Sequence, residues 1–513
     1  MQKEIEIALS PDRLNDSEHL QELIAKQLKV SINRVKGFHI RKRSIDARGR
    51  QVLYRLRIIC AIDEILVPQT FTKKIKSVNT APPVIIIGAG PAGLFAAYQC
   101  LERGLRPIVV ERGKTVQERR RDLAKINRVG YVNPESNYCF GEGGAGTYSD
   151  GKLYTRSNKR GDVQKVLEIF VNHGATEDIL IDARPHIGTN KLPHIIEDIR
   201  KTIIEYGGEF KFDCRVEQIN TEFDKITGIT THLGEYIKAD NVVLATGHSA
   251  RDIFELFRIN SWKIESKPFA LGVRIEHPQE IIDQAQYHCS VRPESLPPAY
   301  YSLVEQVDDR GVFSFCMCPG GVIAPCATDH NEIVVNGWSP SKRNNPHANS
   351  GTVIQINLED VPGALEDPFA LLNFQQKIEQ RAFDIGGGNL VAPGQRMVDF
   401  VHGKVSNTLP ENSYKPGTRS VDLTEVLPKF VHQALRAALP RFGKKMNGYY
   451  TNEAVLVGVE SRTSSPIRIP RDKDTLQHPQ ITGLYPCGEG AGYAGGIISA
   501  AIDGINCINA IKR

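Results

Sequence analysis

The pattern of apolar positions predicts an α/β chain with a strand, a tight turn and a helix near residue 90. Val84 to Ile87 is a run of four branched apolar residues, which predicts a buried strand. The run enters Gly88-Ala89-Gly90-Pro91-Ala92-Gly93, and small apolar residues follow until Gly104, a natural helix end. Glycines at such a turn let a pyrophosphate approach the backbone, and the helix N-terminus supplies N–H donors and partial positive charge. Pro91 suits the first helical position because it has no N–H to leave unpaired.

A second predicted strand, Pro107 to Val110, ends in an acidic residue. Glu111 lies roughly 20 residues beyond the glycines, where dinucleotide-binding folds place the carboxylate that binds the ribose. Arg112 follows at once and has two interpretations, stacking on adenine or exposure to solvent. An arginine there also suits the 2′-phosphate of NADP, but Glu111 favours a free 2′-hydroxyl.

The same α/β pattern continues further along the chain. Apolar residues at helical spacing predict a helix from Leu192 to Ile203, ended by Gly207 and Gly208. Strands are predicted at 210–216, 226–230 and 236–237. A buried strand, Val242 to Leu244, then runs into Ala245-Thr246-Gly247, whose small side chains let the backbone lie against a flat ligand.

Residues 261–440 predict an inserted substrate domain of α+β type. Antiparallel strands are predicted at Phe269 to Glu276, Tyr301 to Val307, Val312 to Cys316 and Glu332 to Asn336. Helices are predicted at Phe369 to Phe383 and Leu423 to Leu439.

Residues 1–79 predict a small separate α+β domain, linked through Asn79-Thr80-Ala81-Pro82-Pro83. The pattern gives a strand at Glu4 to Leu9, a helix capped by Asp16 or Ser17, and a hairpin of 38–45 and 51–62. Basic residues crowd this hairpin: Arg34, Lys36, Arg41, Lys42, Arg43, Arg48, Arg50, Arg55 and Arg57. They suit contact with RNA or an acidic protein partner, or else a solvated outer sheet face, which the modest net charge of +5 favours.

Composition narrows the class of protein. A hydrophobic share of 41% and a charged share of 24% are typical of a soluble globular protein of two or three domains. The N-terminus lacks the apolar segment of a signal peptide, and ten cysteines show neither disulfide-framework nor metal-site spacing. We therefore expect a cytoplasmic protein with reduced cysteines, no metal, no membrane contact and no nucleic-acid partner.

These motifs together resemble the glutathione-reductase-type FAD flavoproteins. A further glycine motif, Gly483-Leu484-Tyr485-Pro486-Cys487-Gly488-Glu489-Gly490, lies near the C-terminus and supplies the second part of the pattern. The resemblance implies a Rossmann-type FAD-binding domain with non-covalent FAD. It places the 88–93 turn (Gly88, Gly90, Pro91, Ala92 and Gly93) on the pyrophosphate, Glu111 on the ribose and Val216 at the adenine edge. Glu489 stands where many relatives carry Asp, and it would lie on the ribityl–pyrophosphate together with Gly488.

Three longer motifs are more specific. Residues 141–153, 458–463 and 487–497 resemble a bacterial family of FAD-dependent dehydrogenases, and more distantly the geranylgeranyl-reductase-like flavoproteins, over about residues 81–513. The resemblance implies an FAD oxidoreductase and no particular substrate. Its implied flavin contacts are the loop Gly144, Ala145, Gly146 and Thr147, the strand end Ala245, Thr246 and Gly247, and the helix start Gly495, Gly496 and Ile497.

No side chain identifies itself as the catalytic acid or base. His248 suits either the flavin or a structural hydrogen bond. Arg462 suits the flavin pyrimidine, an anionic substrate or a surface salt bridge. Cys316 and Cys318 would close a strained ring on a regular strand, which favours small core residues over a redox pair.

We therefore predict an FAD-binding domain at 81–260 and 441–513, a substrate domain at 261–440, and transfer of a hydride between the flavin and a small molecule. The chain has one strand followed by G-x-G-x-x-G, so no separate NAD(P)H domain is expected. Electrons would come from transiently bound NAD(P)H, a reduced protein or the substrate. Two alternatives stay open: an RNA-modifying flavoprotein that uses the basic hairpin, and a non-catalytic flavin-dependent sensor.

Overall fold

The computed structural model describes residues 1–66, 75–155 and 160–512, so part of the predicted 1–79 domain lies outside it. The first region contains β1 (Gln2–Leu9), α1 (Ser17–Leu28), β2 (Val35–Asp46) and β3 (Leu53–Ile62). The three strands form an antiparallel sheet in the order β1-β3-β2. Asp16 caps α1, since its carboxylate accepts the His19 N–H at 3.0 Å. The predicted strand, helix and hairpin are confirmed.

The next region alternates strands and helices. It contains β4 (Pro83–Ile87), α2 (Pro91–Arg103), β5 (Arg106–Val110), α3 (Val116–Val129), α4 (Val163–Asn172), α5 (Asp178–Ile181), α6 (Leu192–Glu205), β6 (Glu209–Lys211), β7 (Val216–Glu222), β8 (Lys225–Thr231), β9 (Tyr236–Lys238), β10 (Val242–Leu244) and α7 (Arg251–Ile259). The single strand predicted at 210–216 is wrong. Asp213 has a left-handed φ of 49°, which turns the chain between β6 and β7.

The remaining elements complete both halves of the molecule. They are β11 (Glu265–Ser266), β12 (Phe269–Pro278), α8 (Gln279–Tyr287), β13 (Val304–Val307), β14 (Arg310–Cys318), β15 (Val322–Pro325), β16 (Val335–Trp338), β17 (His347–Ile356), α9 (Ala370–Gly386), β18 (Ala392–Arg396), α10 (Met397–His402), β19 (Thr418–Ser420), α11 (Lys429–Lys445), β20 (Val455–Glu460), β21 (Ile467–Arg468), β22 (Leu484–Pro486) and α12 (Ile497–Ala510). The helix predicted from Leu423 begins only at Lys429, because Pro428 is extended and caps α11.

The fold class is α/β, with a Rossmann-type parallel sheet as predicted. Its five strands run in the order β22-β10-β4-β5-β6, and every pair is parallel. Helices α2 and α12 pack closely because both carry small residues. A Cβ on Gly504 would lie 2.1 Å from the Ala92 carbonyl oxygen, so only glycine allows this approach. The C-terminal strand and helix thereby join the unit that opens at β4.

A seven-stranded sheet in the order β13-β14-β17-β12-β20-β18-β19 forms the second half. Strand β20 lies in the range assigned above to the FAD-binding domain, but it pairs antiparallel with β12. The backbone hydrogen bonds of Val455–Glu460 to the second sheet favour a boundary later than residue 440. We propose that the second domain extends at least to Glu460.

The N-terminal sheet packs against the rest of the chain. Ile58 of this sheet and Ile24 of α1 belong to the same buried cluster as Leu123, Ile126 and the second sheet. Arg43 on β2 binds Asp182 at 2.7 Å and Asp178 at 3.0 Å, both in or beside α5. Within the described ranges, no helix combines the length and apolar character needed to cross a membrane.

Candidate functional site

The carboxyl ends of neighbouring parallel strands bring three sequence motifs together. The Ala245 N–H donates to the Ile87 carbonyl at 2.9 Å, and the Cys487 N–H donates to the Leu244 carbonyl at 3.0 Å. The turn after β4, the segment after β10 and the segment after β22 therefore lie side by side. Ligands of open α/β sheets bind at this edge.

The glycines of the first turn serve two different purposes. Gly88 has φ +104°, and a Cβ there would lie 2.4 Å from the Ala245 carbonyl oxygen. A Cβ on Gly93 would lie 1.9 Å from the Gly88 carbonyl oxygen, so both glycines are required for packing. At Gly90 the nearest atom to a Cβ is the Gly144 Cα at 3.9 Å, which leaves room at the N-terminus of α2. Pro91 is the first residue of that helix, and Ala92 behind it is buried.

Glu111 is buried and organises the backbone around the site. Its carboxylate accepts three backbone N–H groups, from Ala89 at 2.8 Å, Gly113 at 2.9 Å and Gly141 at 3.0 Å. Sequence reasoning identified Glu111 but missed its bond to Gly141, which links the strand end to the glycine-rich 141–153 motif. This position at the end of β5 suits contact with a ribose.

We expect the Glu111→Ala substitution to weaken both the fold and the binding of FAD. The three N–H groups would lose their acceptor, at about 1–3 kcal/mol for a buried group left unpaired. Loss of a charge-assisted bond to the ribose would weaken FAD binding by about 1.5–3 kcal/mol. Urea unfolding of the apoprotein and FAD titration measure the two effects. The exposed Glu118→Ala change is the control, and equal behaviour of the two variants would contradict the assignment.

The two residues predicted at the adenine end lie close to Glu111. The Arg112 guanidinium packs 4.4 Å from the centre of the Phe140 ring and forms an ion pair with Asp252. Its charge is therefore already compensated, which leaves no free cation here for a 2′-phosphate. Val216 is buried at the start of β7. Contact of either residue with adenine stays a prediction.

The Gly144–Thr147 loop lies against the N-terminus of α2. A Cβ on Gly144 would lie 3.0 Å from the Gly90 Cα, while one on Gly146 would lie 3.3 Å from Pro91 Cγ. Ala145 is exposed at the tip, and the Thr147 hydroxyl donates to the Glu142 carbonyl at 2.7 Å.

Arg119, which sequence reasoning missed, holds this loop from beneath. Its guanidinium is fully buried and donates to the carbonyls of Asn137 at 2.7 Å, Glu142 at 2.8 Å and Gly144 at 2.9 Å. A buried arginine satisfied by carbonyl oxygens fixes a loop that would otherwise be free to move. The sequence carries no signal for it, because Arg119 stands in a run of helical charges.

The N-terminus of α12 is open beside this loop. Gly495 and Gly496 are exposed, and within the described part of the chain no heavy atom lies within 4 Å of a Cβ built on either. Ile497 follows, with its side chain next to Gly146. Gly490 packs on the strand end, since its Cβ would lie 2.4 Å from the Gly247 carbonyl oxygen. Thr246 and Gly247 are half-buried beyond the buried Ala245.

The site fits an extended dinucleotide such as FAD. It has two open helix N-termini, the Glu111 carboxylate at the position that suits a ribose, and glycine backbone between them. The room left at Gly90, Gly495 and Gly496 is the decisive observation, because none of the residues that the structure describes fills it. The structure therefore gathers the predicted pyrophosphate, ribose and flavin-loop residues at one edge. Which atom of FAD each residue contacts stays a prediction.

Glu489, a half-buried acid of the C-terminal motif, has an altered proton affinity. Burial raises the pKa of its carboxyl to about 7, with Lys267 opposing the rise. The neighbouring Gly488 N–H is bound by Asp503 at 2.7 Å, which fixes the turn. Asp503 lies close to Cys487 and Cys507, and the three side chains are near enough to one another to hold a metal ion. The Asp503 carboxylate, however, already forms an ion pair with Arg471 at 2.6 Å.

We expect FAD binding to weaken as the pH rises through about 7. Ionised Glu489 would add negative charge where the pyrophosphate binds, so the dissociation constant should increase by up to about tenfold between about pH 6 and about pH 8. The pKa of Glu489 in the folded protein is raised above the ordinary value of 4.5, so its carboxyl holds a proton more tightly in the folded than in the unfolded chain. Protonated Glu489 therefore stabilises the fold at low pH, and this contribution to stability is lost as the pH rises to about 7. Flavin-fluorescence titration checks this, and Glu489→Gln should remove the dependence. If the dissociation constant for FAD rose with pH equally in the wild type and in Glu489→Gln, this prediction would be contradicted.

Arg462 lies in a buried network of two arginines and two glutamates. Its guanidinium binds Glu332 at 2.9 Å and Glu379 at 2.8 Å, and Arg251 binds the same two carboxylates at 2.5 and 2.7 Å. The Arg462 side chain is only 5% exposed, so the surface salt bridge considered above is wrong. Burial raises the pKa of Glu379, but Arg462 and Arg251 outweigh it and hold that pKa at about 2.

A cleft opens between the glycine loop and residues of β15, β16 and β20. Its lining includes Ala145 and Tyr148 from the loop, His248 after β10, Trp338 at the end of β16, and Arg462. The His248 Nδ1 lies 3.0 Å from the Ser249 hydroxyl. Burial, assisted by Arg462, lowers the pKa of His248 to about 4, so the imidazole is neutral at pH 7. The histidine thus has a structural hydrogen bond and also faces the cleft.

Comparison with known families agrees with this geometry. Residues 83–118 match the model described as an FAD binding domain, and residues 268–463 match "FAD-dependent protein, C-terminal domain-like". Residues 1–61 match a domain of unknown function. An "Uncharacterized protein" of Clostridium beijerinckii (strain ATCC 51743 / NCIMB 8052) is 40% identical over 512 residues, which are 96% of this chain and 95% of that protein.

The chain belongs to this family of FAD-dependent proteins. The family is one of FAD-binding flavoproteins of the oxidoreductase type, and FAD is its cofactor, as the motifs predicted. The match at 83–118 covers β4, α2, β5 and the start of α3, including the turn and Glu111.

Solved structures show a weaker likeness. The tetracycline destructase Tet(51) is 11% identical, with a TM-score of 0.32 over 83% of this chain and 79% of that chain. CtdE in complex with FAD is also 11% identical, with a TM-score of 0.33 over 83% of this chain and 82% of that chain. Sequence identities and TM-scores this low say nothing about the activity of this chain.

Proposed function

We propose that the protein is an FAD-dependent dehydrogenase that transfers a hydride between the flavin and a small molecule bound in the cleft. The observation that supports this most is the position of the cleft. Ala145 belongs to the predicted flavin loop and Tyr148 follows it, and the opposite wall comes from strands β15, β16 and β20. A substrate there would lie next to the loop that borders the flavin.

FAD supplies the redox chemistry, and the chain supplies binding, orientation and charge. The open N-terminus of α12 would offer N–H groups and a partial positive charge to the negative charge of the reduced cofactor. Neutral His248 can accept or donate a hydrogen bond at the cleft wall without adding a charge. The catalytic acid or base is not assigned.

The charge balance of the cleft favours a substrate without a net charge. Arg462 and Arg251 are compensated by Glu332 and Glu379, so the cleft offers no free cation from this network. Tyr138, Tyr148 and Trp338 supply aromatic surface. The Tyr148 hydroxyl donates to the Val116 carbonyl at 2.7 Å and is therefore engaged. We infer a small molecule with a planar or apolar part, held mainly by aromatic contact.

The source of electrons is part of the same proposal. The described residues contain one five-stranded parallel sheet and no second sheet of that kind. NAD(P)H would therefore bind transiently in the cleft, or the substrate itself would reduce the flavin.

Anaerobic mixing of the holoprotein with metabolites and with NAD(P)H, followed by flavin absorbance, tests the proposal. We expect one compound to bleach the flavin, and Trp338→Ala to raise its KM without loss of FAD. Tyr131→Ala, an exposed aromatic outside the cleft lining, is the matched control. Unchanged KM in Trp338→Ala would exclude the cleft as the substrate site. A flavin bleached by dithionite but by no metabolite would favour the sensor.

The RNA-modifying alternative has less support. Several arginines of the basic hairpin are compensated by nearby acids: Arg34 by Asp63 at 2.7 Å, Arg55 by Asp46 at 2.6 Å, and Arg57 by Glu6 at 3.3 Å. Paired charges attract phosphates less strongly than free ones. Nucleic acid that co-purifies before a high-salt wash would reverse this preference.

A further inference from the structure

Two cysteines at the end of β14 depart from regular strand geometry. Strand β14 shifts register against β17 between Phe315 and Cys318, and Cys316 has a left-handed φ of 47°. On a regular strand, residues two apart lie about 6.6 Å from each other, close to the limit that a disulfide spans. Here the chain turns at Cys316, and the Cys318 thiol lies 3.3 Å from the Cys316 carbonyl oxygen. The regular strand geometry on which the expected strain was based is therefore absent at this pair.

Two cations lie beside the sulfur atoms, an environment that small core residues do not need. The Lys152 Nζ lies 3.4 Å from the Sγ of both cysteines, and an Arg274 Nη lies 3.5 Å from the Cys318 Sγ. A hydrogen bond from Cys318, together with Lys152 and Arg274, lowers the pKa of Cys316 well below that of an ordinary thiol. A thiolate held by a lysine, with a second thiol beside it, is the arrangement of a reactive pair.

The charged groups that face this pair come from several elements. Asp150 lies 3.7 Å from Lys152, and Glu460 binds Arg274 at 2.8 Å. Burial raises the pKa of Glu460 to about 7, so Arg274 retains a net positive influence on the sulfur atoms. The cations therefore outweigh the acids around Cys316.

The pair also lies beside the cofactor site. Lys152 belongs to the 141–153 motif whose Gly144–Thr147 segment is the predicted flavin loop. Cys316 is close enough to contribute to the raised pKa of Glu489 in the C-terminal FAD motif. Glu460, the partner of Arg274, lines the cleft itself. The pair is thus bordered by flavin motifs on one side and by the cleft on the other.

We propose that Cys316 and Cys318 form a second redox centre, a dithiol–disulfide couple that exchanges two electrons with the FAD cofactor. In the oxidising direction the Cys316 thiolate and the Cys318 thiol form an S–S bond and lose the Cys318 S–H bond. FAD bound at the site would accept the two electrons and that proton. Lys152 is a positioning residue that holds the thiolate. The inference depends on bound FAD but on no particular substrate, so it can fail while the proposed dehydrogenase activity stands.

Anaerobic dithionite titration of the diamide-oxidised holoprotein tests the couple. Wild-type protein should take up two electrons per FAD more than Cys318→Ser, because the variant has no disulfide to reduce. Cys289→Ser, a half-exposed cysteine remote from FAD motifs in the sequence, is the matched control and should take up as many as wild type. Equal uptake by wild type and Cys318→Ser would overturn the proposal.

A measurement on wild-type protein alone keeps the test decisive if the variant does not fold. Samples at each stage of the titration are quenched in acid, alkylated with iodoacetamide and digested. While the flavin is oxidised, the peptide with both cysteines should carry no alkyl group, and its mass should be two hydrogens below that of the dithiol form. After full reduction it should carry two alkyl groups. Two free thiols at every stage would overturn the proposal.

Lys152→Met should slow alkylation of Cys316 in the reduced protein, and Lys152→Arg should restore it.

Discussion

Gly90→Val is expected to abolish FAD binding while the fold survives. A valine side chain would occupy the open space at the N-terminus of α2 and block the N–H groups that would bind the pyrophosphate. Loss of such charge-assisted hydrogen bonds costs about 3 kcal/mol or more, which is over a hundredfold in affinity. The flavin absorbance of purified protein and titration of the apoprotein with FAD measure the loss.

The fold should survive because the structure leaves room at this position. Gly90 has φ −72°, and the nearest atom to a Cβ is 3.9 Å away, so the backbone needs no glycine there. Gly93→Val should instead unfold the apoprotein, since its Cβ would lie 1.9 Å from the Gly88 carbonyl oxygen. Gly49→Val, in the N-terminal hairpin, should change neither property. Full flavin occupancy in Gly90→Val would contradict the assignment of this turn.

Arg462→Met should have the largest effect on stability. The substitution leaves Glu332 and Glu379 buried with only Arg251 to compensate them, and uncompensated buried charge costs about 3–5 kcal/mol. The pKa of Glu379 should rise from about 2, since Arg462 is the largest of the influences that lower it. Urea unfolding of the apoprotein gives the change in free energy.

The control for Arg462 is an exposed pair of the same chemistry. Arg258 binds Glu255 at 2.5 Å with 61% of its side chain exposed, so Arg258→Met should cost only about 0–1 kcal/mol. Adding Glu379→Gln to Arg462→Met should recover part of the stability, because it removes one buried charge. Equal stability of the Arg462 and Arg258 variants would show that the buried network does not stabilise the fold.

Much of the sheet edge proposed to bind FAD was predictable, because local sequence determines the structure there. A run of branched apolar residues, a glycine turn and a capped helix specify β4 and α2 within about a dozen residues. Chain spacing then identified Glu111. The C-terminal motif was recognisable for the same reason, although its pairing with β10 arises only in three dimensions.

The rest depends on contacts between distant parts of the chain. Arg119 and the Arg251–Glu332–Glu379–Arg462 network unite residues from separate elements, and no periodic pattern marks them. No strand was predicted at Val455–Glu460, and a buried strand does not encode its partner, so the pairing of β20 with β12 could not be foreseen. The bulge at Cys316 was also invisible, since the strand pattern around it is regular in sequence.

A crystal structure of the FAD-bound protein tests the central claim most directly. We expect the pyrophosphate at Gly90 and the N-terminus of α2, and the flavin ring between the Gly144–Thr147 loop and the start of α12, facing the cleft lined by His248 and Trp338. An adenine half bound away from the β4–α2 turn, or a flavin ring turned away from that cleft, would contradict the account.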